Sequence, residues 1–179
     1  MTPIETGRLV LRPIRREVAH TLLDGGIPRG LRFAPGYPSL FSFDVLESVI
    51  STAETGRFGP YFMTRRRDGA IIGEIECRAG AIPGTGSVGY TVVESCWGQG
   101  YATEALRALL ARVLTAPGMT RVVAETPVGN IASRRVMEKA GMSYCGQRKG
   151  HSCAVLDGEP GDVVVFEALA RERVSAITR

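Results

Sequence analysis

Residues 94–114 read ESCWGQGYATEALRALLARVL, a glutamine flanked by glycines that runs straight into a helix. From Ala102 onward, positions 102, 105, 106, 109, 110, 113 and 114 are apolar. That i, i+3, i+4, i+7 spacing predicts a helix with one face packed on a sheet. Thr103, Glu104, Arg107 and Arg112 take the opposite face, so the helix body needs no ligand to account for it. Its start is different. A helix begins with unpaired backbone N–H groups and a partial positive charge. Here Gly98, Gln99, Gly100 and Tyr101 come first, and none is a conventional side-chain cap. Glycines allow a tight turn and remove the side chains that would hold off an anion. A strand, such a turn and an uncapped helix make a cradle suited to phosphate. The same residues also suit a plain strand-to-helix turn capped by water. No lysine follows Gly100, which excludes the P-loop pattern, and GQGYAT departs from the dinucleotide fingerprint.

Working outward, GRLVLRPI (7–14) alternates as a first strand closed by Pro13, and residues 17–23 predict a short helix ended by Gly25 and Gly26. Residues 27–42, rich in Gly, Pro and aromatics, predict a loop or broken helix. FDVLESVISTAETG (43–56) follows as a helix capped by Ser42 or Asp44. Three strands are predicted next, over 59–66, 70–78 and 86–93, with Asp68-Gly69 as the hairpin turn between the first two. Beyond the opening helix, TRVVAET (120–126) is a strand. NIASRRVMEKAGM then carries Asn130 as helix cap and Gly141 as its left-handed stop. SYCGQR and DVVVFEAL close the chain as strands. The expected fold is one α/β (α+β) domain over residues 1–179, a mixed sheet with helices on both faces.

The 179 residues suit one well-packed domain, and 44% hydrophobic with 22% charged residues is ordinary for a soluble protein. No apolar run reaches the ~20 residues of a membrane helix, and the first residues lack the shape of a secretion signal. The expectation is a cytoplasmic protein with no membrane partner. Four cysteines without a CxxC pair and only two histidines argue against a metal site, so free thiols are expected. A net charge of +4 with scattered arginines favours an anionic ligand but lacks the basic stripe of a nucleic-acid binder.

The run VGYTVVESCWGQGYATEAL resembles the acyl-CoA signature of the GNAT superfamily of N-acetyltransferases, [Q/R]-x-x-G-x-[G/A]. Gly100 and Ala102 fill its last two places, and Trp97 stands where Gln or Arg is usual. Tryptophan there is similar to the branch holding the ribosomal-protein N-terminal acetyltransferases. GRLVLRPI, AETPVGNIASRRVMEKAGM and GDVVVFEALARER resemble other segments of that branch. The likeness spans nearly the whole chain, least over 27–60. It implies a mostly antiparallel V-shaped sheet whose two central parallel strands, here SVGYTVV and TRVVAET, splay apart to admit acetyl-CoA. The pantetheine amides would pair with the backbone of Val92 and Val93. Trp97, Gly98, Gln99, Gly100, Tyr101, Ala102 and Thr103 would form the diphosphate loop, Asn130 would hold the pantetheine arm, and the Ser133 hydroxyl would lie near the cofactor's sulfur. The implied activity is acetyl transfer to a primary amine, a protein N-terminus or a small molecule, by direct attack in a ternary complex. No acyl-enzyme is implied, and a homodimer is possible. The alternative is a module of the same fold that binds acyl-CoA without catalysis.

Two departures bear on that choice. The tyrosine that often protonates the departing thiolate falls at Met137, leaving Ser133, or a water it holds, as the candidate acid. The usual glutamate region reads Gly86-Ser87. Glu76 is the candidate base, on one strand face with Glu74 opposite Ile71, Gly73 and Ile75, although that alternation equally describes a solvated sheet face. Tyr90 is a further candidate for lining the sulfur end. Glu125 and His151 carry no assigned role, TRRRD (64–68) reads as a solvated hairpin end, and Arg134 and Arg135 are candidates for neutralising phosphates.

Overall fold

The structure, a computed structural model, describes residues 1–51, 57–151 and 161–170. Two short strands, β1 (Ile4–Glu5) and β2 (Leu9–Pro13), form an antiparallel hairpin, and α1 (Arg16–Leu23) follows. Next come β3 (Arg32–Phe33), α2 (Leu40–Ser51), β4 (Phe58–Arg65), β5 (Ala70–Ala79) and β6 (Thr85–Val92). The second half holds α3 (Tyr101–Leu114), β7 (Arg121–Pro127), α4 (Ile131–Ala140), β8 (Ser143–His151) and β9 (Gly161–Leu169).

All these strands join one sheet in the order β1-β2-β4-β5-β6-β7-β9-β8, with β3 pairing in parallel beside Ala70 and Ile71 of β5. On one face α3 and α4 cover Leu9, Met63, Ile75, Val122 and Phe166; on the other α1 and α2 cover Ile14, Phe62 and Ile71. The predicted stripe of α3 is what faces the sheet: Ala105, Leu106, Leu109, Leu110 and Val113 are buried, and Tyr101 joins them. Ala102 and Leu114, at the ends of that stripe, are only half-buried. No helix among the described residues is long and apolar enough to cross a membrane.

Two details differ from the sequence reading. β1 and β3 are two residues each, too short to show a period, and exist because a neighbour's edge pairs with them. α2 begins at Leu40, so Ser42 lies inside its first turn, where its Oγ accepts the Ser39 N–H at 3.1 Å. Neither Ser42 nor Asp44 is the cap. The predicted tail of that helix, 52–56, lies outside the described residues, as does Cys153.

The central strands part. β6 and β7 pair in parallel only at Thr85, Gly86 and Ser87, opposite Arg121, Val122 and Val123. Beyond Ser87, β6 stays paired with β5 as far as Val92, while β7 stays paired with β9 as far as Pro127. Among the described residues, the far half of β6 therefore has a free edge facing a gap. That is the splayed, mostly antiparallel sheet that the resemblance implied.

Candidate active site

β6 ends at Val92, a short 3₁₀ turn (Glu94–Cys96) follows, and Gly98 and Gly100 both take left-handed backbone, φ 71° and 78°. Left-handed φ costs a β-carbon-bearing residue energy and costs glycine none, so two glycines let the chain reverse within five residues. α3 then starts with no side-chain cap. Its first intrahelical bond runs from Glu104 N–H to Gly100 O at 3.1 Å, leaving the amide hydrogens of Tyr101, Ala102 and Thr103 without a partner inside the helix. Trp97, 63% exposed, lies across the strand end, its indole N–H donating to Val92 O at 2.5 Å.

Backbone groups alternate along β6. The Val93 N–H is bonded to Ile72 O of β5 at 2.9 Å, so odd-numbered amides face β5 and those of Tyr90 and Val92 face the gap. This corrects one expectation. The Val93 amide hydrogen is already taken within the sheet, and the Val92 carbonyl is held by Trp97; Tyr90 joins Val92 as the exposed backbone.

Across the gap stands α4. Asn130 caps it, Oδ1 accepting the Ser133 N–H at 3.0 Å. Capping fixes the first turn and with it the Ser133 hydroxyl, whose Oγ is 2.9 Å from Tyr90 Oη. Tyr90 Oη is also 3.1 Å from the Ser133 main-chain oxygen. The phenol has a single hydrogen. Directed to that carbonyl, it leaves Oη to accept from the seryl hydroxyl; directed to Oγ, it frees the seryl hydrogen for a ligand. Burial pushes the Tyr90 phenol up to about 12, with the Ser133 bond pulling the other way, so it keeps its proton at neutral pH. The sequence named both residues separately; the fold makes them a pair. Met137 is buried in the core, four residues and about one helical turn beyond Ser133 on α4.

The opposite face of β5 and β6 carries carboxylates. Glu74 and Glu76 are not solvated: they are 0% and 7% exposed. α2 packs over this face of β5, which also carries a β-bulge. Phe62 pairs with Glu74 but Thr64 with Ile71, so β5 has an extra residue that puts Ile71 on the α2 side together with Glu74 and leaves Ile72 and Ile75 toward α3. Gly73 makes the bulge possible, since a β-carbon there would come within 2.0 Å of Thr91 O. Tyr37 lies over Glu74 and donates to Oε1, and Oε2 has no hydrogen-bond partner among the described residues. Burial pushes Glu74 up to about 7 against the opposing bond from Tyr37. Glu76 is likewise raised by burial, opposed by Arg78, which pairs with its Oε1 at 2.5 Å. Opposite Glu76 on β6 is Gly89, and a β-carbon there would meet open space. At Gly86, in the region where the resemblance places a glutamate, a β-carbon would stand 2.6 Å from Cys77 Sγ.

Other candidates have structural partners. Arg65 of the TRRRD cluster is mostly buried and pairs with Asp68 at 2.6 Å, so that hairpin end is only partly solvated. Glu125 pairs with Arg148 at 2.7 Å, and the Arg134 guanidinium reaches Val128 O at 3.4 Å. The His151 side chain lies outside the described residues. The residue missed entirely is Arg8, at the entry to β2. It donates to Gln99 O at 2.8 Å and to Glu104 Oε2 at 2.6 Å, and no local pattern announces contacts more than ninety positions away.

A family model described as acetyltransferase (GNAT) domain matches residues 8–143. FsC-acetyl coenzyme A-N(2)-transacetylase of Aspergillus fumigatus is 38% identical over 56 residues, 31% of this chain and 24% of that protein. The match thus spans about a quarter of that relative's length. Among solved structures, Mycobacterium smegmatis RimJ in complex with CoA-disulfide is similar with a TM-score of 0.67 at 24% identity, covering 94% of this chain and 86% of that one. RimL, a ribosomal L7/L12 alpha-N-protein acetyltransferase, reaches a TM-score of 0.70 at 20% identity, covering 94% and 98%. The structural likenesses agree in fold, and the family match takes in the parting strands, the uncapped α3 and the capped α4 together: this chain belongs to the GNAT acetyltransferases.

Proposed function

We propose that the chain is an acetyl-CoA-dependent N-acetyltransferase that acts on a primary amine as a single domain. One arrangement carries this reading: the free edge of β6 ends beside the uncapped start of α3, with the Tyr90–Ser133 hydroxyl pair spanning the gap. These residues fit coenzyme A. Amide hydrogens of Gly98 to Thr103 are suited to a diphosphate, and the outward backbone of Tyr90 and Val92 is suited to an amide-bearing arm. Acetyl-CoA supplies an acetyl group activated as a thioester.

The chain's own residues do the rest. The β6 edge orients the arm, as a strand orients its neighbour. Ser133 Oγ, backed by Tyr90 Oη, delivers a proton to the departing sulfur. On the far face Glu76 takes the proton of the amine across the space left by Gly89. Burial, which raises the Glu76 carboxyl despite Arg78, makes it a stronger base than a solvated carboxylate. Transfer is direct: among the described cysteines Cys77 and Cys96 are buried, burial holds the Cys77 thiol up at about 12, and the exposed Cys145 lies on the edge strand β8, away from the gap between β6 and β7. The acceptor is a protein N-terminus or a small amine. The net charge of +4 weighs against strongly cationic acceptors.

The test combines binding and turnover. Coenzyme A and acetyl-CoA raise the melting temperature whereas ATP and NAD do not, and acetyl-CoA is consumed with at least one member of a panel of amines and N-terminal peptides. Ser133→Ala and Tyr90→Phe then lower turnover by about 10² while changing coenzyme A affinity only a few-fold. Stabilisation by ATP alone would end the reading. Binding of acetyl-CoA without turnover on any amine would leave a non-catalytic acyl-CoA module, the reading that Met137 and Gly86 favour at the two usual catalytic places.

A further inference from the structure

We propose that Arg8 is a positioning residue for the diphosphate loop. From behind, it turns amide hydrogens toward the phosphates and keeps a carbonyl and a carboxylate away from them. The inference rests on the acetyl-CoA reading and adds to it a residue outside the signature.

Two groups at the start of α3 are unfavourable for an anion. The first is the Gln99 carbonyl. In a trans peptide the C=O and the next N–H point opposite ways. Arg8 Nη1 donates to Gln99 O at 2.8 Å, which draws that oxygen toward β2 and turns the Gly100 N–H outward. The second is Glu104, a carboxylate in the first turn. Left free, it would complement the positive helix start itself and repel a diphosphate. Here both of its oxygens are engaged. Oε1 accepts the Thr6 hydroxyl at 2.6 Å and the Arg8 main-chain N–H at 2.7 Å, and Oε2 accepts Arg8 Nε at 2.6 Å. These bonds and the guanidinium charge outweigh the burial that would raise the carboxyl, and hold it below its ordinary range.

The guanidinium is itself held. It stacks 4.7 Å above the ring of Tyr101, which is buried, and Nη2 lies 3.4 Å from where a β-carbon on Gly100 would stand. Stacking on a ring while bonding a carbonyl and a carboxylate in one plane is a task for a flat five-donor fork. A lysine ammonium is a point charge and does one of these at a time.

Titration calorimetry on the full chain tests this, with coenzyme A, inorganic diphosphate and pantetheine, the last carrying the arm without phosphates. Arg8→Ala and Arg8→Lys weaken coenzyme A and diphosphate about tenfold or more and leave pantetheine within about twofold. Adding Glu104→Gln to Arg8→Ala recovers part of the lost coenzyme A affinity, because the released carboxylate no longer opposes the phosphates. Equal weakening for coenzyme A and pantetheine, or unchanged coenzyme A affinity, overturns the proposal while the acetyl-CoA reading stands. No recovery in the double variant overturns the part given to Glu104. A wild-type chain that binds neither coenzyme A nor diphosphate overturns both. Should Arg8→Ala not fold, Arg8→Lys retains the charge and carries the comparison.

Discussion

Glu74 combines full burial with an oxygen that has no partner among the described residues, and this sets a pH dependence. An unfolded chain titrates this carboxyl near 4.5; burial moves it to about 7 in the fold. The native state therefore binds more protons between those values, and the contribution is present at low pH and lost as pH rises through 7. Glu74→Gln keeps an oxygen for the Tyr37 hydroxyl and removes the titration. Its melting temperature relative to wild type should climb by about 4 °C or more from pH 5 to pH 8; a constant difference would show that Glu74 does not ionise in that window. That two glutamates share a face was legible, because alternation is local. Their burial was not, because the cover from α2 and Tyr37 comes from segments brought together from elsewhere.

At the scale of elements, α3 and α4 were readable almost to the residue. Their apolar spacing, the Asn130 cap and the Gly141 stop act within a few positions. β1 and β3 were not, since two-residue strands hold their shape only through the neighbour they pair with. The loop between β6 and α3 sits between these cases. Its glycines were visible, while the groups that tie it down from β2 were not. Gly100→Val isolates the loop's contribution. It forces a β-branched residue to φ 78°, with Arg8 Nη2 at 3.4 Å, and costs about 1–2 kcal/mol. The variant should stay folded, melt about 3–6 °C lower and lose coenzyme A affinity more than tenfold. A variant that binds as well as wild type would remove the loop from the site.

Across the whole molecule, the parting of β6 and β7 is the feature that the family likeness implied and periodicity alone did not, because strand order is not written in either strand. Amide exchange can read it directly. The Val93 hydrogen is bonded to Ile72 O and should exchange slowly with or without ligand. Those of Tyr90 and Val92 face the gap and should exchange fast in the free protein and slow on adding coenzyme A. Protection of both in the free protein would close the gap.

The fastening of Glu104 to residues 6 and 8 also bears on how the chain matures. Those partners are 98 and 96 positions apart, so neither local collapse nor helix growth can bring them together early. α3 can coil while the opening strand is still undocked, yet the turn before it gets its final shape only when that strand comes home. Competence to capture a ligand thus arrives last, and a chain shorn of its first eight residues would build the scaffold and lack the grip.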